Sequence, residues 1–301
     1  MKEISIIGYS SDAGGKTSGS DIGPKMFRER GLIKELLSIG LSINDRGDVK
    51  PDSGIFPNKN GNLKNYDIVK NCTEKLFNET TKALNNDHFP LIIGGDHSLS
   101  IGSYSAVSTH YSKQGERTGL VWIDTHADIN TDSTTLSGNI HGMSVAALLD
   151  LFPSGLLPNQ SKVPALDPES IVYIGLRDLD PEEKIILKKL GIKVYTIKEI
   201  DILGIATVVK EIHTLLTKKH CGYTVSFDLD VCDPELVPGT GTPKRGGLTF
   251  RETHLMMELF YDYQKMVSLE IVELNPLLDK GFITSDIAVS IAASALGKSI
   301  L

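Results

Sequence analysis

Three apolar runs of this 301-residue chain each end in acidic or histidine side chains, and no other feature constrains the fold as strongly. The runs are followed by GGDHS at Gly94–Ser98, DTHAD at Asp124–Asp128 and DLD at Asp228–Asp230. Side chains two residues apart on a β-strand point to the same face. If the extended backbone continues, the two acids and the histidine of the second motif point together, as do the two acids of the third.

Apolar runs alternate with helix-like segments along the chain, which predicts βαβ units and a parallel sheet. Seven runs rich in β-branched residues are interpreted as strands, at Ile4–Ile7, Leu91–Ile93, Leu120–Ile123, Ile171–Ile174, Val194–Ile197, Thr224–Phe227 and Val267–Val272. Helix-like segments lie between them, at Lys25–Leu37, Ile68–Leu84, Ser100–Ser108, Glu182–Leu190, Ala206–Thr217 and Thr253–Tyr263. Continuously apolar strands are covered on both faces. Sites of such α/β sheets lie beyond the carboxyl ends of the strands, where all three motifs fall.

The composition favours a globular cytoplasmic enzyme. Hydrophobic residues make up 40% of the chain and the formal net charge is -7, which argues against nucleic acid as a partner. No apolar run reaches membrane-spanning length, and Met1–Ile7 lacks the apolar segment of a signal peptide. The cysteines Cys72, Cys221 and Cys232 are odd in number and fit reduced thiols. We found no linker or repeat, so a single domain over residues 1–301 is expected.

The three motifs supply six candidate metal ligands, which are His97, Asp124, His126, Asp128, Asp228 and Asp230. Four carboxylates and two imidazoles are too many for one transition-metal ion, but they suit two divalent ions roughly 3.5–4 Å apart. Without metal, the clustered carboxylates would raise one another's pKa values. Carboxylate-rich ligation favours manganese or magnesium, and the imidazoles leave zinc, iron and cobalt open. The alternative is that each aspartate only caps a helix or a turn.

Two other functional classes were weighed against a metal-dependent hydrolase. Gly8–Thr17 follows an apolar run and ends in GKT, like the phosphate-binding loop of an NTPase. That motif needs four residues between its glycines, whereas six separate Gly8 from Gly15. The second alternative, a non-catalytic scaffold of the same fold, is disfavoured because the set of ligands is complete.

Together, the motifs resemble those of the arginase/agmatinase (ureohydrolase) family. Further matching segments are Gly239–Pro243 (GTGTP), Gly246–Glu252 (GGLTFRE) and Glu270–Pro276 (EIVELNP), and all of them occur in family order. The resemblance implies an α/β fold with an eight-stranded parallel sheet flanked by helices. It also implies two Mn²⁺ per chain, with Co²⁺ or another divalent ion as alternatives.

The resemblance also implies a role for each ligand: His97 and Asp128 for one ion, His126 and Asp230 for the other, and Asp124 and Asp228 as bridges. A metal-bridging hydroxide would attack the guanidinium carbon of the substrate, with Asp128 orienting this nucleophile. His141 matches the family's proton shuttle. Glu273 matches the acid that pairs with the guanidinium, and Thr242 matches a residue close to it.

The loop that follows the second motif resembles the arginase loop that binds an amino-acid head group. Asn130, Thr135 and Ser137 match positions that bind the α-carboxylate. Asn139 matches a position near the α-amino group, and Asp180 matches the acid that receives the α-ammonium. Hydroxyls and amides suit a carboxylate, and an acid suits an ammonium. The expected reaction is therefore hydrolysis of L-arginine to L-ornithine and urea.

The main alternative is an agmatinase or another ureohydrolase acting on a guanidino compound, although agmatine lacks the carboxylate that this loop would bind. The chain departs from the arginase pattern at Met143–Ser144, at Cys232 and in two further segments. Lys244 and Arg245 replace apolar residues beside the expected pocket rim, and the loop Ser10–Ser18 differs most. Because members of the family often form trimers or hexamers, the resemblance implies a homo-oligomer.

Overall fold

The computed structural model describes residues 2–299, and an eight-stranded parallel β-sheet lies at its centre. The strands are β1 (Ile4–Tyr9), β2 (Ile43–Val49), β3 (Lys59–Asn60), β4 (Leu63–Lys64), β5 (Phe89–Ile93), β6 (Thr118–Ile123), β7 (Ile171–Leu176), β8 (Lys193–Thr196), β9 (Gly222–Asp228) and β10 (Met266–Val272). The sheet has the order β2-β1-β5-β10-β9-β6-β7-β8, and β3 pairs with β4 in a separate hairpin.

Helices cover both faces of the sheet. They are α1 (Gly23–Glu29), α2 (Leu32–Ser38), α3 (Tyr66–Asn85), α4 (Ser100–Ser112), α5 (Ser144–Leu148), α6 (Pro181–Leu190), α7 (Ile197–Leu203), α8 (Ile205–Thr217), α9 (Phe250–Asp262) and α10 (Ile283–Ala295). On β6, Val121 and Ile123 pack into the core with α1, α2 and α8–α10, whereas Leu120 and Trp122 pack into the core with α3–α5. The predicted fold, a single domain with helices flanking a parallel sheet, is confirmed, although residues 1, 300 and 301 of the expected domain lie outside the described part.

Several elements differ from the sequence-based expectation, which did not include β2, the hairpin of β3 and β4, α7 or α10. The edge strand β2 has the sequence INDRGDV, in which polar residues interrupt any apolar run. An edge strand has a neighbouring strand on one side only, so its side chains can remain partly exposed. The expected helix over Lys25–Leu37 is two helices, since Gly31 between them has φ +87°. Glycine adopts this left-handed conformation at little cost, and it ends α1 there. Across residues 2–299, none of the helices combines the length and apolarity that a membrane crossing requires.

The register of the central strands brings the sequence motifs together. Ile123 of β6 pairs with Phe227 of β9, so Asp124 and Asp228 follow side by side. On the other side of β9, Asp228 pairs with Val272, the residue before Glu273. The carboxyl ends of β5, β10, β9, β6 and β7 therefore form one continuous edge from which the candidate site is built.

We expect Arg28→Ala to destabilise the fold by about 1–2 kcal/mol near neutral pH. Arg28 of α1 holds the edge strand β2 through Asp45 (2.7 Å) and Asp48 (2.6 Å), and its side chain is largely buried. The hydrogen bond from Arg28 lowers the pKa of Asp45, so this stabilisation is complete above the unfolded-state pKa and is lost as Asp45 protonates. The difference in unfolding free energy between parent and variant, measured by urea denaturation, should therefore shrink below about pH 4.

Lys25→Ala is the matched control on the same helix, because Lys25 makes only an exposed pair with Glu29 at 3.6 Å. It should leave the urea midpoint close to that of the parent. Equal losses in the two variants, or a loss in Arg28→Ala that is independent of pH, would contradict the assigned role of Arg28.

Candidate metal centre

A short turn follows each of three strands and aims its polar side chains inward. In each turn, an aspartate at or just after the end of the strand accepts a hydrogen bond from the backbone N–H two residues later. The pairs are Asp96 with Ser98 (2.9 Å), Asp124 with His126 (2.7 Å) and Asp228 with Asp230 (2.7 Å). The extended backbone thus stops at these acids, and the expected strand-like alternation beyond them is wrong. The side chains converge through aspartate turns instead, helped by Asp128, whose φ is +49°.

The first group of candidate ligands surrounds His97. Its Nδ1 lies 3.0 Å from Asp124 Oδ2, 3.2 Å from Asp228 Oδ2 and 3.4 Å from Asp128 Oδ2. All four side chains are buried. An imidazole nitrogen and three carboxylate oxygens converging in this way can hold one divalent ion.

The second group surrounds His126 and shares Asp124 with the first. His126 Nδ1 lies 3.1 Å from Asp230 Oδ2 and 3.5 Å from Asp124 Oδ1. Asp124 thus directs one oxygen towards each histidine, as a bridging carboxylate does. The six expected ligands are all brought together, whereas Asp228 lies only in the first group, so its bridging role stays a prediction.

The buried carboxylates of this cluster repel one another. Burial, together with the neighbouring charge of Asp124, raises the pKa of Asp128, and burial with Asp230 and Asp124 does the same for Asp228. Burial alone would lower the pKa of His97, but the nearby carboxylates of Asp124 and Asp228 outweigh this and raise it. Divalent cations would relieve the repulsion among these carboxylates, so the donor set fits such ions.

A buried polar network orients His97. Its Nε2 lies 2.8 Å from Ser226 Oγ, which leaves Nδ1 facing the carboxylates. Trp122 stacks on the imidazole ring at 3.8 Å, and its Nε1 donates to Asp124 at 3.1 Å. Ser100 links Ser226 to the buried carboxylate of Glu270. Sequence reasoning missed Ser226, although it precedes Asp228 by two residues on the same strand and so shares its face.

Glu273 and His141 lie together next to the first group. Glu273 Oε1 accepts the backbone N–H of His97 at 3.0 Å and lies 3.1 Å from His141 Nδ1. Within the chain, the basic side chain beside this buried glutamate is therefore a histidine. Burial lowers the pKa of His141, but the hydrogen bond to Glu273 outweighs this and raises it to about 9. Glu273 has φ +63°, a strained conformation for a glutamate that is typical of functional sites.

A cavity of about 190 Å³ opens onto the two groups. Eight of the expected site residues line it, which are His126, Asp128, Asn130, Ser137, His141, Asp180, Asp228 and Thr242. Asn130 donates to Asp180 at 2.9 Å, and Thr242 donates to Asp230 at 2.9 Å. Two expected head-group residues do not line the cavity: Thr135 accepts the N–H of Gly138 within the loop, and Asn139 is buried.

The arginase family model matches residues 2–297 of the sequence. The chain belongs to the arginase family. Among its relatives is an arginase of Staphylococcus aureus (strain MRSA252), 41% identical over 100% of this chain and 99% of that protein. The solved arginase of Bacillus caldovelox is 39% identical with a TM-score of 0.94, covering 100% of both chains. The Entamoeba histolytica arginase solved in complex with L-ornithine is 28% identical with a TM-score of 0.90, covering 99% of this chain and 98% of that one.

Two further acids of this family member line the cavity and were missed by sequence reasoning. Asp178 lies 3.6 Å from His126 Nε2, and Glu183 caps α6 by accepting the N–H of Asp180 at 3.0 Å. Asp178 could have been recognised as another acid just beyond the carboxyl end of a strand. Glu183 lies three residues after Asp180 in a capping-box pattern. This pattern predicts a helix cap and gives no sign that Glu183 also lines the cavity.

Ser226→Ala should weaken manganese binding about 10- to 100-fold while the protein remains folded. The change removes the hydroxyl beside His97 Nε2, so the ring loses the contact that fixes its orientation. Calorimetric titration with manganese measures the effect. Ser268→Ala is the matched control, because Ser268 is a buried serine on the neighbouring strand that pairs with Thr224. Equal manganese affinity in both variants would contradict the assigned role of Ser226.

Proposed function

We propose that the protein hydrolyses L-arginine to L-ornithine and urea with two Mn²⁺ ions per chain. The observation that carries this proposal is the position of Asp124, which directs one carboxylate oxygen to each of two imidazole groups beneath a polar cavity. Carboxylate-rich ligation with one imidazole in each group suits manganese. When bound, a pair of divalent ions lowers the pKa of water and so supplies a hydroxide nucleophile near neutral pH.

The side chains next to the ligands would hold the guanidinium and move the proton. Glu273 provides a buried carboxylate for the guanidinium, a charge-assisted contact that fixes the carbon to be attacked. Asp128 lies beside His97 and lines the cavity, so its carboxylate can orient the nucleophile. His141 carries a proton near neutral pH and lines the same cavity, so it can deliver a proton to the leaving amine and exchange it with solvent.

Polar groups on the opposite wall would bind the amino-acid head group. Ser137 and Asn130 offer a hydroxyl and an amide to the α-carboxylate. Asp180 offers a carboxylate to the α-ammonium, and the hydrogen bond from Asn130 holds it in place. The proposal extends to a cytoplasmic homo-oligomer, a trimer or hexamer, which is supported by family membership alone.

Manganese-loaded protein should hold about two ions per chain after gel filtration, as measured by elemental analysis. Asp124→Ala should lose both ions, because this carboxylate serves both groups. Asp230→Ala should lose mainly the ion beside His126, since Asp230 belongs to that group only. Full activity with one tightly bound ion would disprove the dinuclear proposal.

The substrate is tested by comparing kcat/KM for L-arginine and agmatine. The parent should strongly prefer arginine, because a site that hydrogen-bonds a carboxylate discriminates against a compound without one. Ser137→Ala should lower kcat/KM for arginine about tenfold and leave agmatine nearly unchanged, since the lost contact is to a charged group worth about 1.5 kcal/mol. Asp180→Asn is the matched comparison. It should impair both substrates, because both carry the amine. Equal kcat/KM values for the two substrates in the parent would contradict the assignment of L-arginine and indicate that the natural substrate is another guanidino compound.

A further inference from the structure

Lys244 brings a positive charge to the rim of the cavity. Its Nζ lies 2.8 Å from Oδ2 of Asp178, which lines the cavity. The same oxygen lies 3.6 Å from Nε2 of His126. Only one carboxylate thus separates Lys244 from a candidate metal ligand.

Arg177 fixes the segment that carries Lys244. Its guanidinium donates to the backbone oxygen of Lys244 at 2.8 Å and to that of Asp230, also at 2.8 Å. A further bond reaches the backbone oxygen of Val231 at 3.0 Å. The rim segment is therefore tied to the turn that presents Asp230, and the backbone of Lys244 has a defined position relative to the site.

The pair of Lys244 with Asp178 adjusts charge at the cavity and adds little to stability. The two side chains are 49% and 44% exposed, and ion pairs this exposed contribute little to folding. Among the ion pairs between described residues, this is the one that joins a lysine or arginine to an acid lining the cavity. Lys244 thus compensates the charge of Asp178, whereas Asp180 has no lysine or arginine partner among the ion pairs between described residues.

We propose that Lys244 is a specificity-determining residue that selects substrates by their net charge, an inference that rests on the proposed function. L-Arginine enters with one net positive charge because its carboxylate balances one cation. Agmatine has no carboxylate and enters as a dication. A lysine at the rim repels the dication more strongly and attracts the carboxylate, so it favours arginine on both counts.

Lys244→Gln should lower the ratio of kcat/KM for arginine to that for agmatine about fivefold, because a partly exposed charge pair is worth up to about 1 kcal/mol. The change should fall on KM, since the charge acts on the head group and not on the reacting guanidinium. Lys244→Arg keeps the charge and should retain the parent ratio. Arg245→Gln is the matched control, because it removes the same charge from the adjacent exposed residue. The ratio in the parent should also fall as ionic strength rises, whereas that of Lys244→Gln should not fall, because the repelling lysine is gone.

Binding of L-ornithine and putrescine to manganese-loaded protein, measured by calorimetry, tests the same charge effect without turnover. Lys244→Gln should shift the preference towards putrescine by a similar factor. An unchanged ratio in Lys244→Gln, or an equal change in Arg245→Gln, would overturn the inference. Equal losses for both substrates with a loss of manganese would also overturn it, because they indicate a structural role. If the parent hydrolyses neither substrate, the proposed function fails, and the comparison of ornithine with putrescine alone decides the role of Lys244.

Discussion

The burial of several carboxylates in one place is the constraint on which the rest of this molecule depends. Asp124, Asp228 and Asp230 are almost completely inaccessible to solvent, at the centre of a sheet whose strands are otherwise apolar. Charges in such a place are costly unless cations compensate them and hydrogen bonds satisfy the remaining oxygens. The two histidines, the N–H groups of the aspartate turns and Trp122 Nε1 supply part of this compensation. A pair of divalent ions would supply the rest.

The parallel sheet makes this concentration of charge possible. All ligand-bearing strands run in the same direction, so their carboxyl ends meet at one edge, and the pairing of β6, β9 and β10 aligns those ends to within one residue. The turns then give each motif its shape. Positive φ angles at Asp128 and Glu273, each costing about 1–3 kcal/mol, persist because backbone hydrogen bonds hold both residues: Asp128 accepts the N–H of Val145 and Glu273 donates its N–H to Gly95, both at 2.9 Å.

Much of the fold could be predicted from the sequence, because buried parallel strands leave continuous apolar runs and the motifs at their ends are local. β2 was not predicted because an edge strand can be polar. The break between α1 and α2 at Gly31 was not predicted because the helical periodicity continues across it. In the site, the six ligands could be named because they lie within three short motifs. Asp178, Ser226 and Glu270 were not named, since the contacts that give them a role depend on which side chains the register brings beside them. The same limit applies to Lys244, whose partner is 66 positions away in the chain (244 - 178).

The sharing of Asp124 has a thermodynamic consequence. Because one carboxylate offers an oxygen to each group, its position is common to both sites. An ion bound beside His97 would fix the rotamer of Asp124 and so position the oxygen that faces His126, while its charge would oppose the binding of a second cation. With two ions, as proposed, the two affinities would be linked, and the linkage would be reciprocal: the first ion would change the affinity for the second by the same factor as the second changes that for the first. Occupancy of this centre would then be a property of the pair and not of two independent sites.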